Sequence, residues 1–474
     1  MKKQNIIQLA FALVSIGMVG CATHRSETED VRKAWVAGNT AQAETLINEI
    51  VPDKKDSGDE VIWLLEQGSV SRANGDIKTS MQALDGAYEK IKKYDEEAKV
   101  KLGEETAAFL TNQSYIAYKG YNYDKVMLSI YQSLNYIDTK DFDRAKVELK
   151  RLQQAQDEAK AVNQKRIEDE AKAIDDAKKK NKNANYDVSK LLTDSNTSGL
   201  MSKYYGDKYK ADPNAALQQA ASIYANPFGY WLYGVCMMAT GDNDDRKMAG
   251  DSFRICAEML GKKSGVLNSD ASDGQAVQEG KSFGNYTYVV LETGVAPLRR
   301  QFRLDLPLWI INKNLPQVSV NFPYLEKQGN FKDNIDVVAD GKLLTFDTVA
   351  NMDDIIEEEF YIELPTVITK TLLSSAAKAT AQYFAAKAAG DYGVFVNIAG
   401  TAFQALTNDA DLRTWTTLPK QIKIAKVATP ADGNIVVDST PISVNKEGIN
   451  IVYVKSMSQT GPNLVKVMDF NPKK

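Results

Sequence analysis

Apolar residues recur at intervals of three and four along much of residues 31–260, and gather after residue 286 in short β-rich runs separated by Gly, Pro, Asn and Asp. The first pattern predicts helices and the second predicts strands. Within the helical half, four stretches share one arrangement. A turn is followed five, nine and twelve residues on by small and then bulky residues. Gly38-Asn39 leads to Ala43, Ile47 and Ile50, and Gly75-Asp76 leads to Ser80, Leu84 and Ala87. Lys140-Asp141 leads to Ala145, Leu149 and Leu152. In the fourth stretch, Asn226 to Leu260, Gly241-Asp242 leads to Ala249, Phe253 and Cys256, with three extra residues expected in an enlarged turn from Asp242 to Met248. Gly68 and Gly234 precede two of the turns. A glycine in one helix lets a bulky residue of the next approach closely, so the pattern predicts helical hairpins.

The turns are unevenly spaced, which suits a degenerate tetratricopeptide-like array carrying insertions. One insertion, Thr111 to Tyr136, carries Tyr115, Tyr118, Tyr121, Tyr123, Tyr131 and Tyr136. Such residues suit a partner-binding groove, and they equally suit packing between helices. From Ala145 a thin apolar stripe predicts a long charged helix to about Lys180. Residues 183–212 read as a polar linker, and 213–262 as the last helical hairpin.

After Gly261 the pattern changes. Ser264 to Gly284 reads as loop. Short β-rich runs follow at Tyr286–Glu292, Gln301–Leu306, Gln317–Asn321, Asn334–Val338, Lys420–Val427, Ile435–Asp438 and Ile449–Lys455, and they predict a sheet or small sandwich. Two apolar helices, Thr366 to Ala389 and Tyr392 to Leu406, interrupt it. Two readings stand for this 366–406 insert: a close-packed helical hairpin, or a membrane-associated one. The expected fold class is therefore α+β. Tetratricopeptide-like hairpins precede a β-rich domain, 263–474, that holds an inserted apolar helical hairpin.

The first twenty residues change the picture of where the chain works. Lys2 and Lys3 precede an apolar run from Ile6 to Val19, then Gly20-Cys21, the order of a secretory signal. The run is too short for an ordinary membrane span. Cys21 after Val19-Gly20 resembles a bacterial lipobox, with Met18 in place of the more usual Leu. That resemblance implies removal of residues 1–20 and acylation of Cys21. Ala22, where an Asp would favour inner-membrane retention, points to the outer membrane. Residues 21–30 read as a short lipidated tether.

Composition then narrows the chemistry. The chain has 474 residues, 43% hydrophobic and 25% charged, with net charge −4. The mild acidity argues against a nucleic-acid partner. The one histidine, His24, lies beside the processing site. A Ser-His-Asp triad or a His-ligated zinc site therefore cannot be built on the body, while carboxylate-, Lys- or Tyr-based chemistry survives. No metal or cofactor is expected. Cys236 and Cys256, on opposed helices, either bridge or sit as small core residues.

Two phrases remain: Glu292-Thr-Gly-Val-Ala-Pro297 with Arg299-Arg300, and Asp411-Leu-Arg413-Thr-Trp415-Thr-Thr-Leu-Pro419. With the lipobox and the Asn226-Pro227-Phe228 hairpin, they resemble an uncharacterised family of tetratricopeptide-containing bacterial lipoproteins. The resemblance implies a place in cell-envelope assembly and transfers no catalytic residue. On the residues alone, Asp411 and Arg413 read as a pair and Trp415 as a core plug. The expectation is a non-enzymatic outer-membrane lipoprotein, facing the periplasm. It would bind an envelope protein through its helices, with Tyr115, Tyr118, Tyr121, Tyr123 and Tyr131 as candidate contacts. A peptidoglycan- or carbohydrate-binding protein is the alternative. A carboxylate-based glycan hydrolase is the weakest reading.

Overall fold

The computed structural model describes residues 24–100, 116–156, 168, 172, 189–206, 226–390 and 409–471. The signal segment, Cys21, Tyr115, the later part of the long charged helix and the second inserted helix lie outside the described residues. Within them the chain is mixed α/β, with eleven strands.

The first described helices are α1 (His24–Glu27), α2 (Glu29–Val36), α3 (Thr40–Ile50), α4 (Glu60–Asn74), α5 (Ile77–Val100) and α6 (Asn122–Asp138). A seventh, α7, covers 142–156. Helices flank each of the first three turns, and Gly38 and Gly75 take positive φ there, as glycine readily does. The small-against-bulky spacing has a direct geometric cause. A Cβ on Gly68 would lie 2.5 Å from the Leu84 side chain. The hydroxyl of Ser80 donates to the Gly68 carbonyl at 2.7 Å. Residues 24–30, expected as a tether, are mostly helical, with His24 and Thr28 buried. The His24–Trp63 ring contact and the Lys54–Glu27 ion pair hold them against the body.

The short helices α8 (Ser189–Leu192) and α9 (Ser195–Tyr205) stand where a linker was expected. Met201 and Tyr205 are buried, and the Tyr205 hydroxyl donates to the Pro323 carbonyl at 2.8 Å. Next come α10 (Pro227–Thr240) and α11 (Asn243–Met259). Asn226 caps α10 ahead of Pro227, whose missing N–H costs little at a helix start. The enlarged turn is not formed. The Asp242 carboxylate accepts from the amides of Asp244 and Asp245, so the extra residues make the first turn of α11. Gly234 faces Phe253 as Gly68 faces Leu84, with 2.5 Å available to a Cβ.

Ser264 to Gly284 is likewise not a loop. It holds α12 (Gly265–Gln278), capped by the Ser264 hydroxyl and packed on α11 where Gly250 meets Gly274. The polar composition hid it, because glycines at this crossing serve close helix approach.

The strands are β1 (Tyr286–Thr293), β2 (Leu298–Pro307), β3 (Gln317–Glu326), β4 (Val337–Ala339), β5 (Lys342–Leu343), β6 (Asp347–Asn351), β7 (Gln421–Ala428), β8 (Asn434–Val437), β9 (Thr440–Ser443), β10 (Ile449–Ser456) and β11 (Leu464–Asp469). Five form a central mixed sheet in the order β11-β10-β1-β7-β6, with β1 and β10 parallel. Alternate residues serve two cores, as the two-residue period of a strand requires. Tyr288, Val290, Ile422, Ile424, Ile451 and Tyr453 face the helices in one large cluster. Val289, Leu291, Ala425, Val452 and Val454 face the four-stranded sheet β5-β4-β8-β9. The helices and the central sheet thus share one core.

A third cluster builds an arm. It joins the β2–β3 hairpin, helix α13 (Met352–Ala388), α8 and α9. Helix α13 starts well before the expected Thr366 and runs through Pro365. An interior proline costs about 3 kcal/mol. Here Leu364, Pro365 and Ile368 are buried, and that packing offsets the lost hydrogen bond.

Candidate functional site

The two sequence phrases meet where the helices join the central sheet. The Ala296 amide donates to the Leu418 carbonyl at 2.9 Å, and the Lys420 amide to the Thr293 carbonyl at 3.0 Å. Gly294 lets them approach. Its φ is +68°, and a Cβ there would lie 2.9 Å from Lys420 and Phe331.

Glu66 sits in the most apolar part of α4 and is fully buried. The segment after Arg413 crosses over it. One Glu66 carboxylate oxygen accepts from the Thr416 amide at 2.5 Å and the Thr416 hydroxyl at 2.8 Å, and the other accepts from the Thr417 hydroxyl at 2.6 Å. Trp415 Nε1 donates to Ser69 Oγ and Thr417 Oγ1, both at 3.0 Å. Burial pushes the Glu66 carboxyl up to about 7, against the pull of these hydrogen bonds.

Arg413 closes the next layer. It forks onto Asp411 (2.9 and 2.6 Å) and reaches Asp59 at 2.8 Å and the Ile116 carbonyl at 2.9 Å. His24 lies edge-on to Trp63 at 4.8 Å between ring centroids. Burial first, and the Arg413 charge second, push it down to about 3, so it is neutral at ordinary pH.

Arg299 lies over the Tyr121 ring at 4.1 Å and near Phe360 at 5.3 Å. It is buried, and its Nε and Nη2 atoms have no hydrogen-bond partner among the described residues. Beside it Asp124 accepts from the Tyr118 hydroxyl at 2.5 Å and the Tyr121 amide at 2.8 Å. Burial pushes Asp124 up to about 7 as well. A shallow cleft bordered by His24, Arg25, Arg32, Arg299, Arg300 and Thr414 has a volume of about 10 Å³. That is room for one water-sized molecule.

The first phrase is anchored by Glu292, which meets Lys455 at 2.5 Å and accepts from the Tyr131 hydroxyl at 3.3 Å. Lys455 lies between the rings of Trp35 and Tyr131 at 5.0 and 5.1 Å, and burial holds its pKa below the usual range.

The structure corrects the expected binding tyrosines. Tyr118, Tyr123 and Tyr131 are buried, and Tyr121 is half-buried under Arg299. Their rings fill the seam between helices and sheet, so they are not an open groove. Cys236 and Cys256 are both free and buried. Cys256 Sγ donates to the Pro227 carbonyl at 3.1 Å, at the opposite end of α10 from Cys236. Nine residues of helix separate the two levels, about 13 Å, beyond the roughly 7 Å a disulfide spans. Burial raises both thiols, Cys236 to about 12.

Sequence reasoning named Arg413, Trp415 and Arg299 but missed Glu66 and Asp124. Glu66 could have been suspected, because it is the lone acid in the run Val61-Ile-Trp-Leu-Leu-Glu-Gln-Gly-Ser-Val70. Asp124 carries no comparable signal. Chemically, the cluster binds helices to strands through the ion pairs of Arg413 and Lys455 and through the Glu66 and Asp124 carboxyls held by hydroxyl and amide donors. Among the described residues, no group of three or more His, Cys, Asp or Glu is placed to hold a metal ion. Comparison of the chain with family models, curated proteins and solved structures finds no match.

Proposed function

We propose that this chain is an outer-membrane lipoprotein, anchored through Cys21, that acts as a non-enzymatic scaffold in envelope assembly. The carrying observation is the packing of His24 and Thr28, three and seven residues after Cys21, into the junction of helices and sheet. An acyl chain on Cys21 would seat the body close to the bilayer, and the junction would transmit that placement to the rest of the molecule. The paired helices support the tetratricopeptide-like part of the reading, as does the family resemblance of the two phrases that build the junction. Because the tyrosines are buried, the partner surface moves to the outer faces of α7 and α11. Lys146 and Lys150 pair with Asp245 across these helices, and Val147 and Met248 remain exposed.

Two measurements test this. Cys21→Ser is released from the outer-membrane fraction by a high-salt wash that strips peripheral charge contacts, and the lipidated protein is retained, if the anchor is correct. Photo-cross-linkers at Val147 and Met248 capture one specific envelope protein at native expression if the scaffold reading is correct. Full retention of Cys21→Ser in the membrane after that wash, or no specific capture, overturns the corresponding half. The sugar-binding alternative loses the buried tyrosines and Trp415 as stacking platforms. Salt-resistant binding to purified sacculi would restore it.

A further inference from the structure

The arm has a distal end unlike the rest of the chain. Phe360 marks its base, against Arg299 and Tyr205. Leu372, Ala376 and Ala379, later in α13, share a cluster with Leu306, Leu308 and Leu315 at the β2–β3 tip. Helix α13 therefore runs along the hairpin from its base, and Phe384 lies five residues, about 8 Å of helix rise, beyond Ala379. Three large apolar side chains stand exposed on these elements: Trp309 at 49%, Ile310 at 40% and Phe384 at 61%. The other four tryptophans are fully buried.

Charge separates this end from an ordinary apolar patch. The chain is net acidic, yet no carboxylate occurs from Leu306 to Leu325 or from Leu364 to Gly390. The same stretches carry Lys313, Lys370, Lys378 and Lys387, and α8, packed on the tip, adds Lys190. Two acids flanking these stretches are committed: Asp194 caps the Thr197 amide, and Asp305 is held by Ser319 and Arg303. An exposed Trp with aliphatic neighbours and a lysine rim suits the interface of an anionic bilayer. A second copy of this tip would meet like charge.

We infer that the arm tip seats Trp309, Ile310 and Phe384 in the headgroup region of an anionic lipid membrane, with Lys190, Lys313 and Lys387 against the phosphates. The inference rests on the proposed envelope location for its membrane, but the contact is separate from Cys21.

The test uses the full-length protein, lipidated and as Cys21→Ser, with vesicles of phosphatidylglycerol and phosphatidylcholine in equal parts. The acyl chains are brominated near the headgroup. Because Trp309 is the exposed tryptophan, tryptophan emission reports the tip. Expected are a blue shift and quenching of the lipidated protein, both lost in Trp309→Phe. The Cys21→Ser form floats with these vesicles and poorly with pure phosphatidylcholine. Lys313→Gln and Lys387→Gln each weaken its binding roughly five-fold. These are surface positions, and circular dichroism checks that each variant is folded. If the lipidated protein floats with unquenched emission, the tip is dry and the inference falls while the anchor stands. Failure of both forms to float overturns both. An emission shift that follows protein concentration and ignores vesicles makes the tip a self-association face and also overturns it.

Discussion

Glu66 shows how one residue sets a property of the whole chain. Its carboxyl sits near 7 when folded and near 4.5 in an open chain. Folding therefore takes up a proton between those values, and stability falls as pH rises through that window. Asp124, also near 7, has the same sign. His24 has the opposite sign: its folded value near 3 lies below 6.5, so its contribution rises with pH across that interval. Glu66→Gln removes one falling component while the Gln amide can face Thr417. The melting temperature of Glu66→Gln should vary less than wild type between about pH 4.5 and 7. The component removed is on the order of 3 kcal/mol. A variant as pH-sensitive as wild type would show that Glu66 is not the titrating group. Arg413 gives a second expectation. Arg413→Ala leaves the partly exposed Asp411 and Asp59 without their cation, so the cost falls below the roughly 3–5 kcal/mol of a fully buried pair, on the order of 1–3 kcal/mol. The urea midpoint should fall accordingly, with no change in slope.

At the scale of elements, the turns were legible because they have local chemistry. Gly38-Asn39, Gly75-Asp76 and Asp242 stop or start a helix by φ or by a cap, whatever lies nearby. The strands with a clear two-residue period, such as β2 (Phe302, Leu304, Leu306) and β3 (Val318, Val320, Phe322), were legible for the same reason. What was missed depends on distant partners. Helix α12 packs on α11 where Gly274 meets Gly250, and α13 crosses Pro365 with Leu364 and Ile368 buried in the cluster they share with the β2–β3 hairpin. The tyrosines misled because a sequence gives their spacing and not the sheet that buries them. Glycine spacing, in contrast, yields a prediction. Gly68→Ala or Gly234→Ala places a Cβ 2.5 Å from Leu84 or Phe253. Each should lower stability by about 1–3 kcal/mol. Leu84→Ala should couple favourably with Gly68→Ala, because it removes the atoms that the new methyl meets. A strictly additive double-mutant cycle, read by chemical denaturation, would show that the contact is relieved elsewhere.

For the whole molecule, the division of cores predicts how it opens. Helices α2 to α7 and strands β1, β7 and β10 contribute to one continuous apolar cluster. Polar ties cross the same boundary: Glu66 to Thr416, Lys140 to Asp469, Lys466 to Asp138, and Ser458 to the Val36 carbonyl. Neither half can leave without exposing Trp35, Trp63, Tyr131 and Trp415 together, so helical hairpins and central sheet should open as one unit. The arm has its own cluster and meets the body through fewer elements, chiefly Asn122 with Glu359 and the Arg299 stack. Native-state hydrogen exchange should therefore give the amides of α4 and β10 a common opening free energy, and those of β2 and β3 a lower one. Arg299→Ala should widen that gap, because it removes the stack that ties arm to body while leaving the Glu66–Thr416 and Glu66–Thr417 contacts in place. If α4 opened at a lower energy than β10, the helices would be an independent module, and the proposed transmission from the Cys21 anchor to the sheet would fail with it.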